Sequence, residues 1–167
     1  FLEIIEPNSI LQKELFYNEK ENKLIGRLSK ILAEGKYKEL TTRLSEKGKK
    51  PCITAILYGF PGVGKTETAL QIAKASGRNL LMADVSTLRS KWVGETERFT
   101  KKLFRDYQKI RKENELCPIL LFNEADSFLS KRRMITDKVD QMENNMQNII
   151  LQELENFEGI FIATTNL

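Results

Sequence analysis

At 167 residues and 41% hydrophobic, the chain is long enough to bury a core and is expected to form one domain. Its 27 basic and 23 acidic side chains leave a formal charge of +4, which only weakly hints at anionic partners. Histidine is absent, and Cys52 and Cys117 match no metal-ligand spacing, which argues against zinc and favours a reduced, cytoplasmic protein. No apolar run approaches the roughly 20 residues that a membrane-spanning helix needs.

The first 50 residues are predicted to be helical. Asn18 is a helix cap with Glu21 three positions later, and an apolar stripe follows at Leu24, Ile25, Leu28, Ile31 and Leu32. A second short helix is predicted to carry Tyr37, Leu40 and Leu44. We therefore treat residues 1–50 as a helical segment that packs on a core formed by residues 51–167.

From residue 51 onward, short apolar runs alternate with longer amphipathic ones. The short runs are, in chain order, ITAILY, LLMAD, PILLF and GIFIATT. The helix after the first run ends at Gly77, and the next two carry Phe99, Leu103, Phe104, Tyr107 and Ile110, then Met142, Met146, Ile149, Ile150 and Leu154. Strands that alternate with helices predict an α/β fold, a parallel sheet covered by helices on both faces in three αβα layers.

A phosphate-binding loop is predicted between the first strand and its helix, where the sequence reads GFPGVGKT from Gly59 to Thr66. Glycines let backbone N–H groups wrap a polyphosphate, Lys65 reaches the β and γ phosphates, and Thr66 binds magnesium. The alternative is a glycine-rich turn without a ligand. The predicted nucleotide-binding residues are Gly59, Pro61, Gly62, Val63, Gly64, Lys65, Thr66 and Glu67.

An acidic strand end lies about 60 residues downstream, in ILLFNEAD. A carboxylate at Glu124 can polarise water for attack on the γ phosphate of ATP. Alternatively, Glu124 and Asp126 simply begin the next helix, whose dipole favours acidic side chains. Asn123 stands where such a site usually has an aspartate, and we expect it to contact magnesium only through water.

The residues from Ile53 to the end resemble the AAA ATPases, ring-forming members of the phosphate-loop NTPase class. Besides GFPGVGKT and LLFNEAD, SKWVGETE (90–97) looks like the first pore loop of that family, and IFIATTNL (160–167) looks like its sensor-1 strand. The resemblance implies that Asn166 is the polar sensor of the γ phosphate, acting with Glu124 and Lys65 in catalysis. An asparagine that caps a turn is the alternative for Asn166.

The same resemblance assigns Lys91, Trp92, Val93 and Gly94 to a loop that lines a central pore, with Trp92 gripping a polypeptide client. A tryptophan that packs in the core or on the surface is the alternative.

The resemblance also implies what the chain lacks. The family's arginine finger, fifth strand, sensor-2 arginine and lid would all follow Leu167, so we expect a fragment of a larger protein with slow or no activity by itself. In the family's strand order, 5-1-4-3-2, loss of strand 5 would leave ITAILY as an open edge prone to association. The first 50 residues fall outside the family pattern and are expected to pack beside the nucleotide, with Phe16 or Tyr17 contacting adenine.

Three functions remain open from the sequence. The leading hypothesis is an ATPase that converts ATP and water to ADP and phosphate with Mg²⁺, assembles into a ring of six, and remodels a protein client. Asn123 keeps a carbonyl acceptor but lacks the aspartate charge, so we expect slowed turnover. Asn123 also favours the second hypothesis, a nucleotide switch without hydrolysis. An ATPase that loads onto DNA is the third.

Overall fold

The computed structural model describes residues 2–85, 95–129 and 138–166, which form one five-stranded sheet with helices on both faces. The strand order is β1-β3-β4-β5-β2. The strands are β1 (Glu3–Ile5), β2 (Cys52–Tyr58), β3 (Leu80–Asp84), β4 (Ile119–Asn123) and β5 (Gly159–Thr165). The helices are α1 (Glu19–Leu32), α2 (Glu34–Glu46), α3 (Lys65–Ser76), α4 (Thr96–Glu113), α5 (Asp126–Leu129) and α6 (Lys138–Glu155).

Four of the strands are parallel, which confirms the α/β sheet predicted from the sequence. β2 pairs with β5, β5 with β4, and β4 with β3, each in parallel register. The additional strand β1 was not predicted, and it runs antiparallel to β3 with Ile4 opposite Leu81. β1 is only three residues long, too short to show the alternation of apolar and polar residues that predicts a strand. It is recognisable as a strand through its pairing with β3.

Two hydrophobic clusters lie on opposite faces of the sheet. Ile119 and Leu121 of β4 face the cluster that includes Ile72 of α3 and Leu32 of α1. The alternate residues Leu120 and Phe122 face the other cluster, which packs against α4 and α6 through Leu103, Phe104, Tyr107, Met146 and Ile150. Because side chains alternate along a strand, each central strand contributes to both layers, and this produces the three-layer arrangement.

The helical interpretation of the first 50 residues is confirmed for Glu19–Leu32 and Glu34–Glu46 and is wrong for the residues before Asn18. The Asn18 side chain accepts a hydrogen bond from Glu21 N, and the Glu21 carboxylate accepts one from Asn18 N, so a complete capping box starts α1. Ahead of it lie β1, a single 3-10 turn (Pro7–Ser9) and a segment without helix or strand, residues 11–18, which we call the N-terminal strap.

The N-terminal strap is fastened to the first turns of α3. Lys13 Nζ lies 2.7 Å from Glu67 Oε2, and the Gln71 side chain donates to the carbonyl of Leu11. The hydrogen bond from Lys13 lowers the pKa of Glu67. Nearer α1, the hydroxyls of Tyr17 and Thr68 are 2.9 Å apart. The strap therefore packs the N-terminal segment against the helix that follows the phosphate loop.

At the amino end of the sheet, buried polar side chains are bonded to backbone groups. Arg78 is 1% exposed; its Nε and Nη2 donate to the carbonyl of Leu32, and its Nη1 donates to that of Cys117. Its guanidinium lies 4.5 Å from the centroid of the Tyr37 ring. Burial lowers the pKa of Arg78 and raises that of Tyr37. Arg78 thus ties the end of α1 to the segment that leads into β4.

β1 and β2 are the two edge strands of the sheet. In the described part of the chain, β2 pairs with β5 and with no other strand. Ile56 and Tyr58 of β2 are 49% and 76% exposed. An exposed edge agrees with the arrangement expected without a fifth family strand, and association through it remains a prediction. Among the described residues, no helix has both the length and the apolar character needed to cross a membrane.

Candidate active site

The phosphate loop lies at the carboxyl end of β2, as the sequence predicts. Three of its residues have positive φ, Gly59 at 150°, Gly62 at 80° and Gly64 at 90°. These are conformations that side chains with a Cβ rarely adopt, so the loop requires glycine at these positions. Gly64 is also the N-cap of α3, and its carbonyl accepts hydrogen bonds from the Thr68 amide and hydroxyl. The loop therefore places the positive end of the α3 dipole at its centre.

Lys65 begins α3, and its ammonium group folds over the loop. The Nζ atom donates to the carbonyl of Gly59 at 2.9 Å and to that of Phe60 at 2.7 Å. This position keeps the cation at the loop mouth, where a flexible side chain can turn to a phosphate oxygen.

A chain of hydrogen bonds links the phosphate loop to two strand ends. The Thr66 hydroxyl donates to Asn123 Oδ1 at 2.7 Å, and the Thr164 hydroxyl donates to the same oxygen at 2.9 Å. The Glu124 backbone N–H in turn donates to the Thr164 hydroxyl at 3.1 Å. Asn123 therefore retains the acceptor that orients Thr66, although it lacks the charge of an aspartate. Thr164 was not predicted, since it acts here through contacts 40 or more residues away in sequence.

Glu124 occupies a strained backbone position. Its φ is 56°, the one positive φ at a non-glycine residue in the described part of the chain. Such a conformation costs about 1–3 kcal/mol and occurs most often at functional sites. Glu124 lies in the turn between β4 and α5 and is exposed, so its carboxylate is accessible from the cavity beside the phosphate loop.

Asn166, the predicted sensor, is held by Asp126. Asp126 Oδ1 accepts hydrogen bonds from the Asn166 backbone N–H at 2.6 Å and from the Thr165 hydroxyl at 2.9 Å. Its Oδ2 lies 3.5 Å from Asn166 Nδ2. Asp126 does begin α5, as the helix-start alternative proposed, and it also accepts hydrogen bonds from Asn166. Sequence reasoning missed this second contact, because nothing local links two residues 40 positions apart.

The structure brings most of the predicted site residues around one cavity of about 330 Å³. Predicted and unpredicted residues both line it: Pro61, Gly62, Gly64, Lys65, Thr66, Glu67, Asn123, Glu124, Thr164, Thr165 and Asn166. Gly59 and Val63 belong to the loop but do not line this cavity. The Thr66 hydroxyl and the Glu124 carboxylate supply oxygen atoms of the kind that Mg²⁺ prefers, and the loop amides and Lys65 suit phosphate. The residues therefore fit Mg-ATP.

A second, more apolar cavity of about 400 Å³ adjoins the phosphate loop between α1 and β2. Val63, Lys65 and Thr68 line it from the core, and Tyr17 lines it from the N-terminal strap. Phe16, by contrast, is 89% exposed and is not among its lining residues. Of the two residues suggested for adenine contact, Tyr17 is therefore the better placed. The contact itself remains a prediction.

The predicted pore loop, Lys91, Trp92, Val93 and Gly94, lies outside the described residues. The assignment of these four residues remains a prediction.

Comparison with known proteins identifies relatives of this site and fold. Residues 55–167 match the ATPase family associated with various cellular activities (AAA). The chain is 33% identical over 122 residues to a cell division cycle protein 48 homolog of Archaeoglobus fulgidus, covering 70% of this chain and 16% of that protein. It is 28% identical over 113 residues to the 26S proteasome subunit RPT4 of Saccharomyces cerevisiae, covering 68% of this chain and 25% of that protein.

A solved structure shares the fold. The FIGL-1 AAA domain superposes with a TM-score of 0.64 at 21% identity, covering 98% of this chain and 50% of that one. The chain thus spans only a small part of the first of these relatives and half of the structural neighbour. Because the family match extends from β2 to the end of the chain, with the phosphate loop, Glu124 and Asn166 in one site, the chain belongs to the AAA family of ATPases.

Proposed function

We propose that this chain is the nucleotide-binding core of an AAA protein that hydrolyses ATP slowly and uses the energy to remodel a protein client. The observation that carries the proposal is the meeting of Lys65, Thr66, Glu124 and Asn166 around one cavity. These four side chains correspond to the two tasks of the reaction, holding a triphosphate and placing a water molecule against it.

Different residues of the site bind the phosphates, bind the metal and position the attacking water. Loop amides, the α3 dipole and Lys65 bind phosphate oxygens, and Thr66, oriented by Asn123, offers a lone pair to the metal. Mg²⁺, when bound, neutralises phosphate charge during the transfer. The Glu124 carboxylate accepts a hydrogen bond from water and turns its oxygen toward the terminal phosphate. Asn166, whose backbone N–H is anchored by Asp126, offers a side-chain amide N–H to the terminal phosphate.

Slow turnover is proposed because Asn123 is uncharged. An aspartate would place a negative charge beside the cation and accept hydrogen bonds from its water ligands. The loss of such an outer contact typically costs 10 to 100-fold in metal affinity or activity.

The client and the assembly are proposed from the relatives. One relative is a 26S proteasome subunit, and another, 39% identical over 88 residues, is the outer mitochondrial transmembrane helix translocase of Danio rerio. The first name describes a subunit of the proteasome and the second a translocase of transmembrane helices, and from these names we infer a protein client. We extend this to a ring of six subunits in which Trp92 grips the client.

The test is phosphate release from Mg-ATP by the intact protein that contains this chain, with Glu124→Gln as the blank. We expect turnover above the blank, and we expect Lys65→Ala to lose nucleotide binding. Unchanged ATP affinity in Lys65→Ala would overturn the site assignment. For the client, Trp92→Ala is expected to keep basal turnover and lose client processing, whereas loss of folding would make Trp92 a packing residue.

A nucleotide switch without hydrolysis is the second candidate, favoured by the neutral Asn123. Tight ATP binding without turnover in the wild-type protein, with turnover gained in Asn123→Asp, would establish it in place of the motor.

A further inference from the structure

The orientation of the Asn123 amide follows from its hydrogen bonds. The Thr164 hydroxyl oxygen already accepts the Glu124 N–H, so its own proton is available to the neighbouring Asn123. That proton and the Thr66 hydroxyl proton occupy both lone pairs of Asn123 Oδ1. The carbonyl end of the amide is therefore fully used inside the protein.

The other end of the amide carries two N–H donors and no acceptor. In the described part of the chain, Asn123 Nδ2 donates no hydrogen bond. Asn123 lines the same cavity as Lys65, Thr66 and Asn166. A half-buried amide N–H gains from a hydrogen bond, and a phosphate oxygen of a bound nucleotide would be a suitable acceptor.

We propose that Asn123 Nδ2 donates a hydrogen bond to the terminal phosphate of bound ATP, and that this contact lets the site hold ATP with little help from Mg²⁺. The inference rests on the proposed function for the identity of the ligand as a nucleoside triphosphate. An aspartate at this position presents negative charge to the phosphates and needs a cation between them. Asparagine removes that repulsion and replaces it with an attraction, so nucleotide affinity depends less on the metal.

The test is the affinity of a non-hydrolysable ATP analogue, measured by calorimetry in Mg²⁺ and in EDTA. For the wild-type protein we expect less than about a tenfold loss on removing Mg²⁺. For Asn123→Asp we expect that loss to be at least about tenfold larger, as for other outer contacts of a metal. Aspartate has the shape of asparagine and keeps an acceptor for Thr66 and Thr164, so the fold should survive.

A matched control makes the same chemical change away from the site. Asn156 is exposed beyond α6 and accepts a hydrogen bond from Lys50, which an aspartate also can do. Asn156→Asp is expected to keep the wild-type dependence on Mg²⁺, which separates local repulsion from a change in net charge.

The nucleotide itself provides a second measurement. Because ADP lacks the terminal phosphate, Asn123→Asp is expected to weaken ATP binding in EDTA more than ADP binding. Equal dependence on Mg²⁺ in wild type and Asn123→Asp, or equal effects on ATP and ADP, would overturn the inference and leave the proposed function standing. Failure of the wild-type protein to bind any nucleotide in either condition would overturn the proposed function itself.

Discussion

The two ends of the same sheet differ in how far their larger polar side chains are exposed. At the amino end, Arg78 is buried and its guanidinium donates three hydrogen bonds to backbone carbonyls, while Tyr107 is buried and donates to the carbonyl of Pro118. At the carboxyl end, Glu124 and Asn166 are exposed, and Lys65 donates to two carbonyls of its own loop.

This contrast separates stability from function. Buried polar groups are costly unless bonded, so a satisfied network such as that of Arg78 contributes to stability. Groups that bind a ligand must keep donors, acceptors and charge accessible, and backbone strain such as the positive φ of Glu124 is often found among them. Substitutions at the amino end should therefore change unfolding, and those at the carboxyl end should change binding or turnover.

The largest effect is expected for Gly159→Ala at the amino end. The φ of Gly159 is 134°, and an added Cβ would collide with the Tyr107 hydroxyl, which is buried and accepts the Ile160 N–H. Backbone strain and overpacking together are expected to lower the free energy of unfolding by about 4 kcal/mol, measured by urea denaturation.

The control is Gly26→Ala in the interior of α1, where a Cβ meets no atom within 4 Å. Glycine weakens a helix, so this control should raise stability, and a similar loss in both variants would refute the packing argument.

The next effect is that of Arg78→Ala. It leaves the carbonyls of Leu32 and Cys117 without their buried donor, at about 1–3 kcal/mol each, so we expect a loss near 3 kcal/mol. Arg78→Lys keeps the charge but cannot fork between both carbonyls, and it should be intermediate. Nucleotide affinity of the folded protein should not change. Loss of ATP binding at unchanged stability would place Arg78 in the site instead.

At the carboxyl end, Asp126→Ala should slow turnover. Without the carboxylate, Asn166 loses its anchor, and we expect about tenfold lower kcat, equivalent to about 1.4 kcal/mol. Affinity for ATP should stay near the wild-type value, because Asp126 does not line the phosphate cavity. Asp126→Asn, which retains an acceptor, should partly restore kcat. Equal losses in kcat and in melting temperature, unrestored by asparagine, would instead show a purely structural role.

The smallest effect is a gain in stability from Glu124→Asn. Asparagine tolerates positive φ better than glutamate, so the free energy of unfolding should rise by about 0.5–1 kcal/mol as hydrolysis is lost. Glu124→Gln loses hydrolysis too but keeps the strained backbone, so it should show no gain in thermal melting. Equal melting temperatures in the two variants would show that the backbone at Glu124 carries little strain.

Most secondary structure was predictable because its signals are local. The capping box at Asn18 and Glu21 and the switch from helical stripes to apolar runs at Ile53 each need only a few neighbouring residues. The same holds for the phosphate loop, whose glycine spacing reflects backbone angles within one turn.

Contacts between distant residues could not be predicted in this way. The pairing of β1 with β3, the bond from Asn166 to Asp126 and the use of both Asn123 lone pairs each join segments 40 or more residues apart. Nothing in a three-residue run or a lone aspartate indicates its partner.

From the residues alone came the class of fold, the phosphate loop, the roles suggested for Glu124 and Asn166, and the question posed by Asn123. These depend on residue type and spacing, which the chain carries in any conformation. The folded chain added which groups line the cavity and which bond to each other. Whether the Asn123 amide presents its oxygen or its nitrogen to the cavity depends on two threonine hydroxyls that only folding brings together.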